Sequence, residues 1–102
     1  MAVCAMSCEP PMVIDHGGWL EQLGEAELIG GWCEVLLVPR YAAAVDATRY
    51  QVFLTSLDAV LVFVHNRTPL GFEVHAAPAR KGARRSPARC CYRVVAPRAG
   101  AA

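Results

Sequence analysis

The sequence has one lysine, one asparagine and two isoleucines, and no acidic residue after Glu73. Each shortage excludes something. Its longest uninterrupted apolar run, residues 59–64, is far below the ~20 residues of a membrane-spanning helix. The first fourteen residues lack the basic n-region of a signal peptide and are broken at Glu9-Pro10-Pro11, and position 2 is Ala where N-myristoylation needs Gly. These absences, with five cysteines that cannot all pair within one chain, give the expectation of an intracellular protein, cytoplasmic or nuclear, with reduced thiols and no membrane contact.

Chemistry-bearing motifs are equally scarce. Asp15-His16-Gly17-Gly18 would need a G-x-S-x-G elbow to complete an esterase site, and none of Ser7, Ser56 or Ser86 sits in one. Cys4-x3-Cys8 with His16 and Cys33 lacks the second matched pair of a zinc site. No glycine loop could cradle phosphate. Glu73 and His75 share a strand face with His65 close by, a face that reads as the solvent side. The expectation is no enzyme, no metal and no cofactor.

Present instead is apolar content. At 102 residues and 55% hydrophobic, the chain has enough to fold as one domain with a modest core. The expected class is α+β: a small β-rich domain, an antiparallel meander of three to five strands with one short helix. Residues 18–28 carry Trp19, Leu20 and Leu23 at helical spacing before Gly30-Gly31. Trp32 to Val38 is a compact apolar run closed by Pro39, read as a buried strand with Trp32 in the core. The alanine-rich 41–47 suits a helical turn or two. Residues 50–55, 59–65 and 70–77 read as three strands, joined at Ser56-Leu57-Asp58 and at Asn66-Arg67-Thr68-Pro69. The segments Gly17-Gly18-Trp19-Leu20-Glu21-Gln22-Leu23 and Gly30-Gly31-Trp32-Cys33-Glu34-Val35-Leu36 repeat one pattern, read as a turn followed by a tryptophan.

Charge divides the chain. Residues 1–75 hold all nine acids and three arginines, a balance of −6; residues 76–102 hold six arginines and one lysine, +7. The organisation expected is therefore a flexible N-terminus over 1–11, a single domain over 12–77, and a disordered basic C-terminal tail over 78–102. Within the tail, Cys91 to Val95 could add a short edge strand. Arg80, Lys81, Arg84, Arg85 and Arg89 form an electrostatic binding segment, and Ser86 before Pro87 is a candidate phosphorylation site. Nine arginines against one lysine also fit a GC-rich coding sequence.

The functional expectation is a non-enzymatic interaction or regulatory module that docks on another protein, with the basic tail adding electrostatic contact and a homodimer through a strand edge as a further candidate. The alternatives are a nucleic-acid-associated protein acting through residues 80–93, and a variant chain with a truncated domain and no independent function.

Overall fold

Two glycine pairs bend the front half of the chain, each ahead of a tryptophan that opens a strand. The structure, a computed structural model, describes residues 11–58, 60–77 and 88–100. Strand β1 (Met12–Asp15) turns through His16-Gly17-Gly18 into β2 (Trp19–Leu28). The Asp15 carboxylate accepts the Gly17 amide at 2.8 Å and closes that turn. Gly30 and Gly31 have φ of 72° and 93°, the left-handed region where glycine is least strained. They carry the chain out of one sheet into β3 (Trp32–Leu36) of the other. Pro39 opens α1 (Pro39–Ala44), where its fixed φ suits the first turn and its missing N–H costs nothing. β4 (Gln51–Ser56), β5 (Val62–Thr68), β6 (Gly71–Ala76) and β7 (Ala88–Pro97) follow.

The strands form a four-stranded sheet, β1-β2-β7-β4, and a three-stranded sheet, β3-β6-β5, with every pairing antiparallel. The pairings are nested: β2 with β7 in one sheet, β3 with β6 in the other. The protein is thus a small α+β domain with two antiparallel sheets and one short helix. That helix lies at 39–44 and overlaps the alanine-rich segment 41–47 expected to form a helical turn or two.

Several expectations are corrected. The segment 18–28, expected as a helix, is instead strand β2 from Trp19 to Leu28. Its inward positions, Leu20, Gln22, Gly24, Ala26 and Leu28, alternate strictly, but Gln and Gly in the series hide the period. The second-half strands exist, yet they make no meander: β5 and β6 form a hairpin in one sheet, while β4 joins β7 in the other. Trp32 is not in the core. It lies on the outer face of β3, with Cys33 and Val35 turned inward.

The largest correction concerns the tail. Residues 88–97 are β7, hydrogen-bonded to β2 on one side and β4 on the other. Ala88, Cys90, Tyr92, Val94 and Ala96 point into the core, so the domain continues beyond 77 and residues 88–97 belong to it, not to a disordered tail. Residues 1–10 and 78–87, on which the flexible N-terminus and the rest of the tail were expected, lie outside the described residues. Cys90 and Cys91 are free thiols as expected, whereas Cys33 is disulfide-bonded.

The core joins both sheets and α1. Tyr41, Tyr50, Phe72, Leu28, Val74 and Val94 are its largest fully buried side chains, together with Gln22. A buried amide is tolerated only with partners, and Gln22 has three. Its Nε2 donates to the Leu36 carbonyl at 3.2 Å and the Tyr92 hydroxyl at 3.3 Å, and its Oε1 accepts the Val38 amide at 2.8 Å. Tyr41 reaches the Leu20 and Val94 carbonyls at 3.0 and 3.3 Å, and Tyr50 those of Thr68 and Gly71 at 2.7 and 2.8 Å. Burial pushes the Tyr41 phenol up to about 12 and the Cys90 thiol up to about 11.

Candidate interaction face

The outward side chains of the three-stranded sheet are set by register. His75 of central β6 is the cross-strand partner of both Trp32 of β3 and Phe63 of β5, and two residues along Glu73 is that of both Glu34 and His65. Directly opposed residues share a face, so a row of three rings lies beside a row of two carboxylates and an imidazole. The rings form a platform: Trp32 to His75 is 6.0 Å and Phe63 to His75 is 5.8 Å between centroids, each pair 26° from parallel. His65 meets His75 edge-on at 5.0 Å.

This face is open to solvent. Trp32 is 38% exposed, Phe63 47%, Leu36 at the end of β3 60%, and Leu61 just ahead of β5 78%. His75 Nε2 lies 2.8 Å from Glu73 Oε1, and the Asn66 amide donates to the same oxygen at 3.1 Å. Those contacts, the His75 bond first, hold the Glu73 carboxyl below its ordinary value. The expectation that Glu73, His75 and His65 share a solvent face therefore holds. The aromatic residues that flank them were not expected there.

The four-stranded sheet presents a different outer face, on which charges pair. Arg93 Nε donates to Glu21 at 2.5 Å, and its guanidinium lies over the Phe53 ring at 5.6 Å. His16 Nε2 lies 2.8 Å from Glu21 while its ring stacks on Trp19 at 3.8 Å. Glu21 is thereby held below the usual carboxylate range, mainly by Arg93 and then by His16. Arg98 grips both Asp15 oxygens at 2.6 and 2.5 Å and lowers its carboxyl.

Of the expected electrostatic segment, Arg80, Lys81, Arg84, Arg85 and Ser86 lie outside the described residues. Arg89 is a strand residue: its backbone amide donates to Asp58 at 2.7 Å and its side chain sits 3.8 Å from Glu25. Of the cysteine–histidine set, His16 and Cys33 are the members among the described residues, and they serve other contacts. His16 is engaged with Trp19 and Glu21, Cys33 is in the core, and Cys4 and Cys8 are outside the described residues. Among the described residues no group of three potential ligands could hold a metal ion. The Asp15 to Gly18 segment is a hairpin turn. A shallow, open cleft of about 180 Å³ between Tyr50 and Pro69 is lined in part by Arg67, whose guanidinium lies 4.4 Å from the Tyr50 ring centroid and donates to the Tyr50 carbonyl.

Both tryptophans of the repeated pattern open a strand just after a glycine turn, and both stack on a histidine. Comparison with protein-family models, curated proteins and solved structures finds no match to this chain.

Proposed function

We propose that this protein is a non-enzymatic binding module that docks on another protein through the outer face of β3-β6-β5. One observation carries the reading: Trp32, Phe63 and Leu36 stand solvent-exposed on one sheet face. Large aromatics held on rigid strands supply contact area with little loss of conformational entropy, and they are the residue types enriched at interface hot spots. The carboxylates beside them argue against a phosphate backbone as the ligand of this face.

Photo-crosslinking tests the reading. Benzoylphenylalanine at position 63 should give a discrete adduct in cell extract, and Trp32→Ser with Leu36→Ser should abolish it. The same probe at Phe53, on the other sheet, should give none. An adduct that survives the double substitution sinks the proposal. An adduct of twice the chain mass identifies the partner as a second copy.

A further inference from the structure

We infer that the partner presents arginine to this face; the inference rests on the docking reading above and names the chemistry that face would take. It follows from where charge is left uncompensated. Glu34 and Glu73 are direct cross-strand partners on the exposed side of β3 and β6, and like charges placed opposite one another destabilise a sheet. Glu73 is relieved by His75 and Asn66. Glu34 is not: no cation among the described residues reaches it.

No lysine or arginine stands in β3 or β6. The one in β5, Arg67, is turned onto Tyr50. The arginines of β7 lie on the other sheet and already meet Glu25 and Glu21, while Arg98 meets Asp15. Among the described residues the aromatic face thus carries one carboxylate held by imidazole, Glu73, and one, Glu34, that no cation reaches, an arrangement complementary to a cationic partner.

The spacing favours arginine over lysine. Trp32 and Glu34 are two residues apart on one strand, roughly 7 Å at 3.3 Å per residue. A guanidinium lying flat on an indole or phenyl ring keeps its N–H edge free to donate to a carboxylate at that distance. A lysine ammonium can serve the charge but cannot stack its plane on the ring. The occupant is therefore a segment of a partner protein that alternates arginine with apolar residues, the former meeting Glu34 and Glu73, the latter meeting Leu36 and Leu61.

The test uses the full chain, ¹⁵N-labelled, titrated with a short capped Arg-Leu repeat peptide and with Lys-Leu and Glu-Leu controls. The Arg-Leu peptide should shift amide signals over residues 32–36, 63–65 and 71–75. Lys-Leu should bind more weakly and Glu-Leu not at all. Glu34→Gln, at an exposed position, and Glu73→Gln, at a half-buried one, should each weaken binding by up to about fivefold, the range of an exposed ion pair. Equal affinity for Lys-Leu, unchanged affinity in both variants, or shifts confined to the four-stranded sheet would overturn the inference. If position 63 crosslinks specifically while the Arg-Leu peptide fails, the arginine assignment falls and the docking face stands.

Discussion

At the scale of single residues, exposure and not residue type decides what a substitution costs. Trp32 lies on the surface and loses little but its stack on His75. Trp32→Ser should cost about 1 kcal/mol, where truncating a buried aromatic costs roughly 3–5. Gly71 is the contrast. A Cβ there would overlap the Val35 carbonyl oxygen, and that oxygen belongs to the backbone, so β3 and β6 must part. Overpacking of this kind costs about 1–3 kcal/mol or more, enough to lower Tm by several degrees. Thermal melts of the two variants should therefore rank Gly71→Ala well below Trp32→Ser, and the reverse order would mean that Trp32 is buried. The outward position of Trp32 was legible. Glu34 two residues on must face solvent, and Trp32 shares its side of the strand; the apolar run Val35 to Val38 drew the reading the other way. No such signal exists for Gly71, whose close neighbours, Val35 and Leu36, are far away in sequence.

At the scale of elements, β2 and β7 carry the four-stranded sheet; β2 was misread, and β7 was anticipated only as a short edge strand over 91–95 where it is a central strand over 88–97, each for a physical reason. β2 buries Gln22 and Gly24 along its inner face, so neither period stands out, and the spacing of Trp19, Leu20 and Leu23 mimics a helix. β7 alternates without exception, with Ala88, Cys90, Tyr92, Val94 and Ala96 inside and Arg89 and Arg93 outside. Arginine density suggested a tail because unpaired arginines favour solvent; here each outward arginine faces a carboxylate supplied by β2. The β5-β6 hairpin was plain from its alternation, but nothing local tells which sheet a strand joins. Because β7 is paired on both edges, its amides should exchange hydrogen about as slowly as those of β2, at the global unfolding limit. Loop-like exchange over 88–97 would refute its central placement. A 1–77 truncation should likewise fail to fold, since it leaves β4 without a neighbour and removes five of the sixteen buried hydrophobic residues of the core.

At the scale of the whole molecule, a net charge of +1 conceals a division that the fold partly resolves. The acids of the front half and the arginines at the C-terminal end meet across β1, β2 and β7, in the Asp15–Arg98, Glu21–Arg93 and Glu25–Arg89 pairs. Two segments that look oppositely charged along the sequence are, over these strands, the two sides of a single ladder. The pairing has a consequence for acid stability. Asp15, Glu21 and Glu73 are all held below their ordinary values of 3.8, 4.5 and 4.5 by hydrogen-bonded cations or imidazole. A carboxyl with a lowered folded pKa binds fewer protons when folded than when unfolded, so its contribution is complete above the unfolded value and is lost as pH falls through the folded one. Stability should then hold level from neutral pH to about 5 and decline below 4.5, the ordinary glutamate value. Glu21, the one of the three with a buried side chain, should dominate that decline. Calorimetric Tm measured from pH 7 to 2.5 tests this. Arg93→Gln removes the leading cause of the Glu21 shift and should make the acid limb shallower, and Glu21→Gln should remove the Glu21 part of it altogether. A Tm in the parent protein that stays level or rises between pH 5 and 2.5 would show that these pairs contribute nothing to the fold.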